Sequence, residues 1–168
     1  MDLKKLIKNH IDYPLAGIVF RDIVPLLNDS KAFSYVIDQM AEQCKDADVI
    51  IAPEARGFVF GAPIAYKLKK PFIMARKSGK LPGEVINKQY NLEYTTGAII
   101  ELQKDNIRPG QKAVFVDDLL ATGKTAKAVK ELVELQGGKV IKCVYLIELK
   151  QYSAKENSEI EVASLIEY

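Results

Sequence analysis

The sequence is poor in residues that carry metal and covalent chemistry. His10 is its single histidine, and its two cysteines, Cys44 and Cys143, lie far apart in the chain. With no CxxC pair and no histidine beside either thiol, neither a metal site nor a disulfide framework is expected. Free thiols in a Lys-rich chain fit a reducing cytosol. A Ser-His-Asp triad built on His10 has no supporting motif, and a solvated place at a helix end is the expectation for it. An excess of one charge is also missing. Lys and Arg number 24 against 22 Asp and Glu, a formal +2, so no general nucleic-acid or membrane surface is indicated. The opening Met1-Asp2-Leu3-Lys4-Lys5 has no long apolar segment, so neither a signal peptide nor a membrane span is expected. There is no internal repeat or low-complexity segment. What remains is ordinary globular composition, 48% apolar and 27% charged over 168 residues, which suits one domain with a sizeable core.

Several signals meet in one stretch. Residues 113–116 form an apolar run that reads as a buried parallel strand. Asp117 and Asp118 follow where such a strand ends, and Ala121-Thr122-Gly123-Lys124-Thr125 then opens a helix predicted to run to Gln136. Carboxylates so placed can accept hydrogen bonds from sugar hydroxyls, while the free amides and dipole of a helix start can hold a phosphate. Ribose plus phosphate is the ligand that chemistry suits. Beside it stands a plainer reading, in which Asp-Asp before a helix is only an N-terminal charge or cap. Gly123-Lys124-Thr125 does not close a nucleotide-triphosphate loop, because the first glycine of G-x-x-x-x-G-K-T would fall at Asp118.

Along the rest of the chain, Leu3, Leu6 and Ile7 give residues 1–10 a helical stripe, and Pro14 and Gly17 mark a turn. Residues 18–23 are a short extended piece that Pro25 keeps from being a central strand. Its Phe20 either fills the core, with Arg21 paired to Asp22, or offers a ring and a backbone edge to a flat heterocycle. Asp29 or Ser30 caps a helix over 31–44, and residues 49–52 are a buried strand that leads through Glu54 and Arg56 into a helix over 58–68. Arg56 either forks onto phosphate oxygens or pairs with Glu54. A third strand, 71–75, ends in Arg76 and Lys77. Residues 78–90 are polar with no hydrophobic period, which predicts an unstructured loop, either a lid over an anion or inert surface. Strands over 92–94 and 98–102 flank Thr95-Thr96-Gly97, with Glu101 an outward edge charge on its own evidence. A strand over 140–147, a polar loop over 151–158 and a last strand over 160–166 complete the chain.

Strands near 49, 72, 113 and 141 separated mostly by helices predict an α/β fold, a doubly wound, mostly parallel sheet flanked by helices. Ligands of such sheets bind beyond the carboxyl ends of the strands, which gathers 117–125, 54–57 and 76–80 at one edge.

Taken together, these segments resemble the type I phosphoribosyltransferases, and within them the adenine-using members, from Tyr13 to the end of the chain. Residues 114–125 match the family's diphosphoribosyl signature; 14–23 resemble the base-binding hood, 54–58 the pyrophosphate loop, 75–84 the catalytic lid, and 101–105 the segment bearing a proton-transfer glutamate. The resemblance implies a single domain over 1–168, with a hood over about 1–30 and a flexible lid over 77–90. It implies that Asp117 and Asp118 bind the ribose hydroxyls and that Ala121, Thr122, Gly123, Lys124 and Thr125 cradle the 5-phosphate. Arg56, Arg76, Lys77 and Lys80 would serve the pyrophosphate, some of them across a dimer interface. The Val19 backbone and Phe20 would hold adenine with Arg21 beside it, and Glu101 would exchange a proton at N7. The implied reaction converts adenine and 5-phosphoribosyl diphosphate to AMP and pyrophosphate in purine salvage. Mg²⁺ would be held mainly by substrate rather than by protein ligands. A cytoplasmic homodimer is implied, with no nucleic-acid or membrane partner, and a cis peptide between Glu54 and Ala55 is in the family's manner. Another purine (hypoxanthine, guanine or xanthine) is the alternative substrate. A non-catalytic purine-responsive regulator is disfavoured, since no nucleic-acid-binding extension precedes Tyr13. Two departures stand out. Lys124 replaces a glycine common in adenine members, and the segment from Tyr94 to Glu101 is one residue longer, which in a strand would reverse the aim of Glu101.

Overall fold

The computed structural model describes residues 1–92, 96–156 and 158–168. Its frame is a seven-stranded sheet. In chain order the strands of that sheet are β3 (Val49–Pro53), β4 (Phe72–Lys77), β5 (Val85–Tyr90), β6 (Ala98–Gln103), β7 (Lys112–Leu120), β8 (Lys139–Glu148) and β9 (Glu161–Glu167). They lie side by side as β5-β6-β4-β3-β7-β8-β9, with β6 antiparallel to both of its neighbours, β5 and β4, and the strands from β4 to β9 in that order parallel. β1 (Lys8–Ile11) and β2 (Val19–Asp22) form a separate antiparallel ribbon. The helices are α1 (Val24–Leu27), α2 (Ser30–Gln43), α3 (Arg56–Leu68) and α4 (Lys124–Leu135).

The alternating side chains of the central strands feed two cores. Ile50 of β3 and Val114 and Val116 of β7 pack toward α2 and α3. Val49, Ile51, Ala113 and Phe115 face the other way, toward Val129, Leu132 and Val133 of α4. The sheet is therefore covered on both faces, and the chain winds outward from β3 in one direction through α3 to β4. From β7 it winds in the other direction through α4 to β8. The reversal falls between β3 and β7, the position at which ligands of open α/β sheets bind. Local chemistry supports each element. Asp29 caps α2 by accepting from the Lys31 and Ala32 amides, both at 3.0 Å. At Gly61 a Cβ would meet the Ala52 Cβ at 2.7 Å and Phe72 at 2.8 Å, so glycine there lets α3 lie close on the sheet.

The doubly wound expectation holds, and four local expectations change. Residues 1–10 are not one helix. A single 3₁₀ turn, Leu3–Leu6, places Leu3 in the core, and Lys8–Ile11 is a strand. A helix that short is marginal alone, whereas β1 gains a ladder against β2. His10 accordingly sits in a strand, 3.3 Å from Asp22 Oδ2. The 77–90 region is not all loop, since its second half is β5, paired residue by residue with β6 from Val85↔Gln103 to Tyr90↔Ala98. Its period was hidden because Lys88 shares a face with the half-buried Ile86 and Tyr90, where it forms an ion pair with Glu131 of α4. The expected strand over 92–94 falls partly outside the described residues, and Leu92 is not in a strand. Last, β7 runs on to Leu120, so Asp117 and Asp118 lie within the strand rather than beyond it. Cys44 and Cys143 are unpaired and buried, and burial pushes both thiols up to about 12, which leaves them inert. Among the described residues no helix is long and apolar enough to cross a membrane.

Candidate active site

β3 pairs with β7 only as far as Ile51↔Phe115. Beyond that point β3 stays with β4, to Pro53↔Ala75, while β7 continues against β8 through Asp117↔Tyr145 to Leu120↔Glu148; the Glu54-Ala55 peptide that follows β3 is cis, as the resemblance implied. The divergence opens a cleft with Asp117 and Asp118 on its wall. Two adjoining cavities occupy it. One, of about 240 Å³, is lined by Glu54, Arg56, Lys77, Asp117, Asp118 and Thr125 among others. The second, of about 200 Å³, shares Arg56, Asp117 and Asp118 and extends along Ala121, Thr122, Gly123 and Lys124.

The two aspartates are held differently. Asp118 is nearly enclosed, and its Oδ2 lies 3.0 Å from Arg56 Nε. Arg56 is thus paired across the cleft rather than with Glu54, the local alternative its sequence position allowed. Asp117 Oδ1 accepts from the Asp118 amide at 2.9 Å. Burial, and then the neighbouring Asp118 carboxylate, push the Asp117 carboxyl well above the ordinary range. The first turn of α3 can approach this pair only because residue 57 is glycine: a Cβ would stand 2.6 Å from Pro53 Cδ and 3.0 Å from Asp117 Oδ1. Where β7 passes into α4, Gly123 adopts φ +75° and caps the helix without a side-chain hydrogen bond. The opening amides of α4 therefore face the second cavity with no side-chain cap of their own, the arrangement that binds phosphate groups.

Opposite, Glu54 ties the end of β3 to the end of β4. Its carboxylate accepts from the Lys77 amide at 2.5 Å and lies 3.0 Å from Arg76 Nη2. Burial raises the Glu54 carboxyl, but these two donors outweigh it and hold the group below its usual range. Arg76 also donates to the Lys80 carbonyl at 2.9 Å, so it anchors the polar loop that follows. Above the cleft, Phe20 of β2 packs edge-on against Tyr13 at 5.3 Å, with the Arg56 guanidinium 5.2 Å from its ring. A ring and a guanidinium thus stand over paired aspartates and a helix N-terminus.

A model of the phosphoribosyl transferase domain matches residues 26–167. The chain is 52% identical to the adenine phosphoribosyltransferase of Mycoplasmopsis pulmonis, covering 99% of this chain and 98% of that one. The crystal structure of adenine phosphoribosyltransferase from Thermoanaerobacter pseudethanolicus superposes with a TM-score of 0.92 at 42% identity, covering 99% of this chain and 98% of that one. The enzyme from Giardia lamblia, complexed with 9-deazaadenine, gives 0.93 at 33% identity, covering 99% and 96%. The chain belongs to the adenine phosphoribosyltransferase family.

Within this phosphoribosyltransferase frame, the residues implied by the resemblance fall into two groups. Arg56, Lys77, Asp117, Asp118 and residues 121–125 converge on the cleft, and Phe20 stands over it. Lys124 is the exposed first residue of α4 and lines the second cavity. Arg21, Arg76, Lys80 and Glu101 are placed otherwise. Arg21 follows Phe20 in the strand and so takes the opposite face of β2, where it donates to Asn9 Oδ1 at 2.6 Å. It does not pair with Asp22, which His10 occupies. Arg76 is spent on Glu54 and the loop, and Lys80 is exposed on that loop. Glu101 is 5% exposed, not an outward edge charge. Its carboxylate accepts from Ser78 Oγ at 2.7 Å and the Gly79 amide at 3.0 Å. Ile99 and Ile100 line the cleft beside it. Tyr90, Ile99 and Ile100 had no motif to mark them; strand alternation in β5 and β6 was the only available signal.

Proposed function

We propose that this phosphoribosyltransferase transfers the 5-phosphoribosyl group of 5-phosphoribosyl diphosphate to N9 of adenine, releasing AMP and pyrophosphate. The observation that carries the reading is the Asp117-Asp118 pair in the last half of β7, faced by Arg56 and sharing a cavity with the N-terminus of α4. Adenine phosphoribosyltransferases of about half-identical sequence support the choice of base.

In this reading the C1′–oxygen bond to the diphosphate breaks as N9 bonds to C1′. The sugar carbon becomes electron-poor in the transition state, and the Asp118 carboxylate and its neighbour hold the ribose hydroxyls and favour that charge. The first-turn amides of α4 hold the 5-phosphate. Arg56, Lys77 and Lys80 meet the departing pyrophosphate, with Arg76 fixing the loop that carries Lys80. Glu101 takes the proton that leaves N7 of the base on a lone pair that the Ser78 and Gly79 donors leave open. A Mg²⁺ ion fits the donor set: magnesium commonly takes one or two carboxylates plus substrate oxygens, and Asp117 and Asp118 line the cavity the diphosphate would enter. When bound it would supply positive charge to the leaving pyrophosphate. Among the described residues no cluster of three metal-ligating side chains occurs. Two unpaired, unreactive thiols support a cytoplasmic setting, and an apolar stripe on α3, considered below, supports a homodimer.

The test is a base panel. With the purified chain, 5-phosphoribosyl diphosphate and Mg²⁺, adenine is expected to be converted to its nucleotide at least about a hundredfold faster in kcat/KM than hypoxanthine, guanine or xanthine. Preference for a 6-oxopurine, or no nucleotide from any base, would overturn the assignment.

A further inference from the structure

The β1–β2 ribbon that carries Phe20 makes no strand pairing with the seven-stranded sheet. A two-stranded ribbon is marginal alone and needs other contacts to hold its height over a cleft. Its ends are tied by Leu3, Ile7, Ile23 and Leu26, all in the core. Its middle is held from the face opposite Phe20. There the Arg21 guanidinium lies 3.9 Å from the centroid of the Tyr168 ring, with Lys4 Nζ 5.1 Å from the same ring. Arg21 reaches Asn9 of β1 through Nη1, while its Nε is buried without a hydrogen-bond partner, so the aromatic face is its chief seat. Tyr168 in turn is fixed by backbone bonds on both sides: its amide donates to the Glu148 carbonyl at 2.9 Å, and its carbonyl accepts from the Lys150 amide at 2.8 Å. Glu148 ends β8, the strand that flanks Asp117 through Tyr145. One ring thereby links the sheet beside the sugar site to the strand that bears Phe20.

We propose that Tyr168 is a positioning residue for the base: through Arg21 its ring sets the height of Phe20 over the cleft. The proposal rests on the reading above that Phe20 holds adenine. Tyr168→Leu, which keeps apolar volume but removes the π face, is expected to raise the adenine KM by about fivefold or more, with kcat and the KM for 5-phosphoribosyl diphosphate within about twofold of the parent. Tyr168→Phe, which keeps the face, should restore parental values. Arg21→Met removes the cation from the other side and should reproduce the Tyr168→Leu pattern, and combining the two should add little further. Thermal melts confirm which variants are folded, and Arg21→Met carries the test if Tyr168→Leu does not fold. An unchanged adenine KM in a folded variant, or parallel losses for both substrates, overturns the proposal. Phe20→Ala separates the two readings. If it leaves the adenine KM unchanged, the hood reading fails and takes this proposal with it. If it raises that KM while Tyr168→Leu does not, only the role of Tyr168 falls.

Discussion

At the scale of single residues, the cleft is built on a division of labour between neighbouring carboxylates. Asp118 is nearly buried, yet its charge is matched by Arg56 at 3.0 Å; Asp117 is pushed toward its protonated form by burial and by Asp118. Asp118 is therefore the carboxylate whose charge the cleft holds directly against a cation. Asp118→Asn keeps shape and size but removes that charge and half of the Arg56 pair. Turnover is expected to fall by more than about tenfold, at least ~1.4 kcal/mol of transition-state stabilisation, with a circular-dichroism melt showing the fold retained. Near-parental kcat would remove Asp118 from the mechanism. The Asp-Asp-to-helix motif was legible in sequence because its chemistry is contiguous. The partner of Arg56 was not: Glu54 lies two positions away and Asp118 sixty-two, and only the divergence of β3 from β7 decides between them. Gly57 gave no sequence signal beyond being glycine, yet its missing Cβ is what lets α3 approach Pro53 and Asp117.

At the scale of elements, Glu101 and the root of the polar loop form one assembly. Glu101 of β6 faces Arg76 of β4 in the antiparallel register, and its two carboxylate oxygens hold Ser78 and Gly79 at the root of the loop. Each oxygen of that carboxylate holds one donor and keeps a further lone pair, so one side chain can anchor the loop and, in the mechanism proposed above, still accept a proton. Glu101→Gln retains an acceptor for the loop but cannot take a full proton. It is expected to lower kcat by about a hundredfold while leaving the KM for 5-phosphoribosyl diphosphate within about threefold. An unchanged rate would exclude Glu101 from proton transfer. Sequence reading overestimated the loop, because Lys88 interrupts the apolar face of β5 where only its pairing with Glu131 makes it acceptable, and taken alone it read Glu101 as an edge charge where the structure buries it. It likewise extended the first apolar stripe into a helix, since the ladder between Lys8 and Asp22 is formed by residues far apart in sequence.

At the scale of the whole molecule, the parallel order β4-β3-β7-β8-β9 was legible because buried strands alternating with helices admit few right-handed arrangements. That order leaves one helical face uncovered. Along α3, Phe58, Ala62 and Tyr66 recur at four-residue spacing, and Tyr66 is 88% exposed. The stripe continues onto β4, where Phe72 meets the Phe58 ring at 5.8 Å and Met74, on the same strand face, is 41% exposed. β4 ends in Arg76 and Lys77, so a second copy seated on this stripe would lie beside the pyrophosphate end of the cleft. That proximity makes a self-association surface the natural use of an apolar strip on a chain of formal charge only +2. The parent is expected to sediment as a dimer at micromolar concentration, and Tyr66→Glu, which places a charge at the most exposed residue of the stripe, to shift it to a monomer with its melt little changed. Because Lys77 ends the strand that carries part of that surface, the monomer should show a raised KM for 5-phosphoribosyl diphosphate. A Tyr66→Glu chain that remains dimeric would place the interface elsewhere, and a monomeric parent would end the dimer proposal itself.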